Sequence, residues 1–188
     1  MSDERRGPPG PELPRIVGDM MAFVGLGAAE LEAVRRSAPV VLRHEAALTA
    51  AVYEHLLSFP ESARFFVHED GAPDTPRIER RKESLGRWLR DTATAVMDSE
   101  RAYSLLAMGI SHSHRTWGRG GQVPAELMVG SMSLVQAALT RILHAELPTP
   151  AEALEASIAW NKLLLVHLNV ILMGYFLPPP SPRPSRDA

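Results

Sequence analysis

Two histidines set two positions apart, His112 and His114 in the segment AYSLLAMGISHSHRTWG, are the residues of this chain best suited to metal chemistry. On a regular helix they project about 200° apart, so only one of them can face a given pocket. His112 shares its face with Leu105, Met108 and Gly109, an apolar surface that carries one imidazole and a small residue able to admit a flat ligand. His114 lies with Tyr103 and Ile110 on the opposite face, which is also largely apolar. Spacing therefore does not choose between them, and either imidazole can also be read as a structural residue with a hydrogen-bond partner.

Tyr53 is the second candidate. In the helix read from Pro39 to Phe59, Leu42, Ala46, Thr49, Tyr53, Leu56 and Leu57 form one stripe, with Arg43, His44, Glu54 and His55 off it. Tyr53 thus points inward, as a core tyrosine or as a hydroxyl donor over a bound ligand. His68, in the loop VHEDG beside Phe65 and Phe66, could touch a cofactor edge or ligate a metal from the opposite side, or lie on the surface. Arg77 and the run Arg80-Arg81-Lys82 could meet carboxylates of a cofactor or form a solvated helix face. His44, His55 and His144 read as solvated and His167 as structural. Gly-rich phosphate loops, His-Glu-x-x-His and G-x-S-x-G are missing, and the acidic residues are scattered, so an enzyme is not expected.

The elements that must hold these side chains are helical. Apolar residues recur at helical spacing, and alternating, β-branched segments are missing almost throughout. An all-α chain of about seven to eight helices is predicted. A short apolar segment, Ile16 to Phe23, precedes a helix from Ala28 to Ser37, and Pro39 opens the next helix. A helical turn covers Pro60 to Phe66. Thr75-Pro76 starts a helix to about Met97, and Asp98 or Ser99 caps one that carries both histidines to about Arg115. After the connection TWGRGGQ, Pro124 opens a helix to about Ala145. Thr149-Pro150-Ala151-Glu152 then places a capping box before the longest helix.

Of 16 prolines, nine fall in the first fifteen residues and the last eleven, so residues 1–12 and 178–188 read as tails around one domain, 13–177. The 188 residues carry a formal charge of −2, which leaves no basic excess for a nucleic acid. Cysteine is absent, excluding thiolate metal sites and covalent Cys-x-x-Cys-His attachment of a haem. The N-terminus does not read as a secretory signal, so a cytoplasmic location is expected. The longest apolar stretch, Leu163 to Leu177, contains His167 and Asn169 and is too short to span a membrane, and none is expected as a partner.

Taken together, the motifs resemble the globin-coupled sensor and protoglobin family over about Phe23 to Tyr175. FVGL followed by a helix and AAVYEHLLSFPE look like its early helices, RRKESLGRWL like its distal helix, and MGISH like its proximal motif, with V-P and a helix following. The resemblance implies a sensor-globin fold holding haem b non-covalently, with His112 as the iron ligand and Tyr53 as the distal hydroxyl. Phe66, Arg81, Ser84, Leu85, Trp88 and Met108 complete the implied cofactor-binding set. The stretch SHRTWGRGG is several residues longer than the family usually has, which keeps His114 as the alternative ligand. The resemblance also implies reversible binding of a diatomic gas (O2, CO or NO, with O2 expected) and a homodimer through the last two helices. A signalling domain or partner is further implied. Two other readings are a cofactor-free globin-like interaction or dimerisation module and a haem enzyme acting on nitric oxide or peroxide.

Overall fold

A computed structural model describes residues 12–115 and 120–178. Its elements are α1 (Glu12–Phe23), α2 (Ala28–Arg43), α3 (Glu45–Ser58), α4 (Pro60–Ala63) running into a 3-10 turn (Arg64–Phe66), α5 (Thr75–Ala93), α6 (Ser99–His114), α7 (Ala125–Glu146) and α8 (Pro150–Met173). The described residues contain no strand, and Val67 and Pro73 form an isolated bridge. The protein is all-α, as its periodicity predicts. The expected tails, apart from residues 12 and 178, and residues 116–119 of the connection after α6 lie outside the described residues.

Side-chain caps fix several helix starts. The Asp74 carboxylate accepts the Arg77 backbone N–H at 3.0 Å, with Pro76 in the first turn of α5. Asp98, not Ser99, caps α6, accepting the Arg101 N–H at 2.8 Å. At α8 the Thr149 hydroxyl accepts the Glu152 N–H at 3.2 Å and donates to its carboxylate at 3.0 Å, while Pro150 needs no donor at the first position.

Three boundaries differ from the sequence reading. Pro39 does not open a helix but lies inside α2, on the exposed side. There the i−4 carbonyl that loses its partner can turn to water, so the helix passes through. The break comes at His44 (φ −98°, ψ 5°), whose N–H turns back to the Val41 carbonyl at 3.0 Å. That corner is tied to α7, since Arg43 Nη2 and His44 Nε2 lie 3.0 and 3.3 Å from the Glu146 carboxylate. The new direction of α3 exposes Ala46 and buries Leu48, Thr49, Val52 and Tyr53, so the single stripe expected from Leu42 to Leu57 is divided. Helix α1 begins at Glu12, before Ile16. Helix α5 stops at Ala93, short of Met97, because the buried Ala95 takes a left-handed conformation (φ 53°).

Helix α8 is the centre of the bundle and packs on α7, α6, α2 and α1. Trp160, Leu163, Leu164 and Ile171 are fully buried along it, each such side chain stabilising the fold by about 1.5–3 kcal/mol. Trp160 Nε1 donates to Ser37 Oγ at 2.9 Å, and Ser37 donates to the Ala33 carbonyl at 2.7 Å, so this buried polar pair is satisfied. By length and composition both α7 and α8, with mean hydropathies of 1.2 and 1.4, could cross a membrane, although the uninterrupted apolar run in α8 is shorter. Of these windows 56% is buried in α8 but only 22% in α7, where Val129 is exposed and Leu127, Met128 and Ser131 are partly exposed.

Candidate functional site

Helices α3, α5, α6 and α7 enclose a cavity of about 230 Å³, walled also by the α4 turn and by Ile171 of α8. Its lining is mostly apolar, including Leu56, Phe65, Phe66, Leu85, Met108 and Met132, and His112, Tyr53, Arg81, Ser84, Ser62, Ser131 and Trp88 supply the polar atoms. All eight residues singled out as cofactor-binding (Tyr53, Phe66, Arg81, Ser84, Leu85, Trp88, Met108 and His112) line this one cavity. His114 and His68 do not.

Helix α6 sets the His112 imidazole. Its Nδ1 lies 2.8 Å from the carbonyl oxygen of Met108, one turn back, so Nδ1–H donates and the lone pair resides on Nε2. Burial lowers the pKa of His112 from its ordinary value, a trend opposed by the Met108 bond and reinforced by the nearby Arg81 guanidinium. At neutral pH the ring is a neutral base, the form that ligates metals. The His112 carbonyl accepts the N–H of Val123, itself in the cavity wall, at 3.0 Å, which fixes where the connection returns.

Tyr53 faces this chamber from α3, buried and packed edge-on against Phe66 with centroids 5.5 Å apart. Burial pushes its hydroxyl up to about 12 even though Arg81 pulls the other way, so Tyr53 stays protonated and is a donor at any physiological pH. Arg81 is partly buried, and desolvation lowers its pKa from the usual arginine value, as do Arg77, Arg80 and Arg115 by charge. Of these guanidinium groups, Arg81 is the one that lines the chamber. The Ser84 hydroxyl donates to the Arg80 carbonyl at 2.8 Å and offers the cavity only an acceptor.

The start of α5 and the Phe65-Phe66 turn are held together. Arg77 Nε sits 3.1 Å from the buried Asp74 carboxylate, Arg77 Nη1 donates to the Phe65 carbonyl at 3.3 Å, and the Asp74 N–H donates to the Phe66 carbonyl at 2.8 Å. His68 stays exposed at the edge of this loop, with Nδ1 3.9 Å from Asp74. Among the described residues no cluster of three or more His, Asp or Glu could hold a bare metal ion.

The family profile described as Protoglobin matches residues 14–178. This chain belongs to the protoglobin family. Among solved structures, this protoglobin is similar to the globin domain of the Geobacter sulfurreducens globin-coupled sensor, with TM-score 0.72 and 20% identity over 84% of this chain and 96% of that one. It is also similar to the globin domain of E. coli DosC, in its ferric form with TM-score 0.66 and 15% identity, and in its ferrous form with TM-score 0.66 and 16% identity. In both cases 85% of this chain and 99% of that one are covered. At such identities these likenesses establish the globin fold. No curated protein matches the sequence.

Sequence reasoning did not see how much of this protoglobin's cavity comes from α7. Leu127, Met128, Ser131, Met132 and Val135 form a wall of it, extended by Val123 just before the helix. The only available signal was the apolar spacing of 128, 132 and 135, which fits any core helix equally well. The unpartnered indole nitrogen of Trp88 was also invisible, since it depends on what α8 brings to meet it.

Proposed function

We propose that this protoglobin holds haem b non-covalently in the cavity between α3, α5 and α6, and serves as a gas-sensing module, with O2 as its ligand. The observation that carries the reading is one apolar chamber lined by both a neutral imidazole, His112, and a protonated phenol, Tyr53. The donor set fits the group. A single imidazole with its lone pair on Nε2 is the donor that haem iron takes, and the aromatic and aliphatic lining suits a flat macrocycle.

In this reading His112 is the iron ligand and its bond to the Met108 carbonyl holds the ring in the ligating tautomer. Phe66, Leu85, Trp88 and Met108 would exclude water from the chamber, and Arg81 would meet a carboxylate of the cofactor. Haem iron, once bound, supplies a coordination position for a diatomic gas. Tyr53 adds a fixed donor on the ligand side, which favours a polar ligand such as O2 over CO. Among the described residues that line the chamber, Tyr53 keeps its proton, His112 is assigned to the iron, and His68 lies outside. This supports binding over turnover.

The same reading includes a homodimer through α7 and α8. Val129 on α7 and Leu154, Ile158 and Leu165 on α8 are 46–62% exposed, more apolar surface than a stable monomer usually shows along two neighbouring helices.

The test is the visible spectrum of the purified ferrous protein with and without CO, for the wild type, His112→Ala and His114→Ala. A Soret band that shifts with CO and is lost only in His112→Ala is the expected result. Loss in His114→Ala instead would move the ligand by two residues, and a colourless protein from haem-replete cells would leave a cofactor-free interaction module as the reading.

A further inference from the structure

The end of α6 and the end of α8 are joined more closely than helix packing requires. At their crossing the backbones touch. A Cβ on Gly109 would lie 1.9 Å from the Ile171 carbonyl oxygen, and one on Gly174 would lie 2.5 Å from the Ile110 nitrogen and 2.7 Å from the Gly109 carbonyl carbon. Only glycine fits at either position. Immediately beyond, side chains of α6 reach the turn that follows α8. Ser113 Oγ lies 3.2 Å from the Gly174 carbonyl, and His114 Nε2 lies 3.1 Å from the Leu177 carbonyl. Ser113 Oγ and His114 Nδ1 are 2.8 Å apart, and Ser113 also reaches the Gly109 carbonyl at 2.9 Å.

Carbonyl oxygens only accept, so the Leu177 contact requires a proton on His114 Nε2, while Ser113 Oγ has one proton to place among the Gly109, Ile110 and Gly174 carbonyls and His114 Nδ1, which itself lies 3.2 Å from the Ile110 carbonyl. The imidazole that spacing left open as a second metal ligand is therefore engaged with α8, on the side of α6 away from the cavity. The Gly174 and Leu177 carbonyls, which lie just past the end of α8, thus have polar side-chain atoms of α6 within hydrogen-bond distance.

We infer that Ser113 and His114 are positioning residues that lock the His112 end of α6 to residues 174–177, so that a displacement of His112 on gas binding is passed to the point where the chain leaves α8. The inference rests on the haem reading of His112. His112 is two residues from His114 and one from Ser113, so no flexible segment separates the iron ligand from the clamp. Ile171 belongs to both structures, since its side chain lines the cavity and its carbonyl meets Gly109. A close-packed joint of this kind moves as a unit.

The turn that follows α8 has its own reporters. The amides of Gly174, Tyr175 and Phe176 donate to the Ile171, Leu172 and Met173 carbonyls at 3.0, 2.9 and 3.2 Å, so their hydrogen exchange reads local opening of this turn. The experiment is hydrogen exchange of the haem-loaded ferrous protein with and without CO, in the wild type, His114→Ala, His114→Gln and Ser113→Ala/His114→Ala. The iron–histidine stretching frequency is recorded by resonance Raman on the same samples. The expected result is a several-fold CO-dependent change in exchange at residues 174–176 that is lost in both alanine variants and restored by His114→Gln, whose amide can still donate to Leu177. The iron–histidine frequency shifts in His114→Ala and returns in His114→Gln. A haem-loaded wild type whose residues 174–176 ignore CO, or a double variant that keeps the full CO response, would overturn the inference. Absence of a Soret band would instead remove the haem reading on which it stands.

Discussion

The indole of Trp88 and the imidazole of His167 meet edge-on, centroids 6.1 Å apart and planes at 69°, and none of their three ring nitrogens has a hydrogen-bond partner. His167 is 1% exposed. Burial, with a smaller effect from the Arg101 charge, lowers its pKa to about 3. In the unfolded chain the ring titrates near 6.5, so below that pH the unfolded state binds a proton that the folded state refuses. Stability is therefore lost as pH falls from 6.5 towards 3, by about 1.4 kcal/mol per unit. At pH 5 the loss relative to pH 8 is about 2 kcal/mol from this residue. His167→Leu removes both the proton uptake and two unsatisfied atoms. Urea denaturation should show the variant gaining stability over the wild type, and gaining more at pH 5 than at pH 8. An equal difference at the two pH values would contradict the buried, neutral imidazole.

The contact between Gly109 and the Ile171 carbonyl makes a prediction about packing. At Gly109 a methyl group would strike backbone, which cannot rotate aside, so α6 and α8 must separate. Gly109→Ala should cost about 2–3 kcal/mol or more. Gly18, exposed in the middle of α1, has nothing within 4 Å of the corresponding position. Gly18→Ala should stabilise by about 0.5–1 kcal/mol through helix propensity alone. Thermal melts of the two variants should therefore move in opposite directions.

What the sequence could reveal followed the range of the interaction. The helix starts at Thr75, Ser99 and Pro150 are set by residues within four positions of one another, so the starts and the Thr149 capping box are legible, while the cap of α6 stays open between Asp98 and Ser99 and the Asp74 cap goes unread. The inward face of Tyr53 and the Met108–His112 spacing are likewise local. Pro39 misled because the tolerance of a proline inside a helix depends on whether its i−4 carbonyl sees water, which the fold decides. The α7 wall and the partners of His114 depend on residues tens of positions away: 63 separate His114 from Leu177. No local pattern encodes such a contact, and so the opposite face of α6 read as merely apolar.

In the proposed haem reading, a protonated Tyr53 in the chamber predicts ligand discrimination. Tyr53→Phe keeps the ring that packs on Phe66 and removes only the donor. If the hydroxyl contributes an ordinary hydrogen bond to O2, its loss should speed O2 dissociation by about two- to tenfold while CO changes little. Stopped-flow displacement of each gas measures this, and equal effects on both gases would assign Tyr53 to packing alone.

The outward apolar face of α7 and α8 predicts the oligomeric state. Ile158 and Leu165 are each 46% exposed on the helix that also carries the most deeply buried residues of the core, so changing them leaves the interior untouched. Ile158→Glu/Leu165→Glu places two carboxylates on each copy, and in a symmetric interface all four would be desolvated near their own mates. Sedimentation velocity at micromolar concentration should give a dimer for the wild type and a monomer for the variant, with far-ultraviolet circular dichroism unchanged. A monomeric wild type would assign the exposed face to a different partner. A variant that remains dimeric would place the interface elsewhere on the molecule.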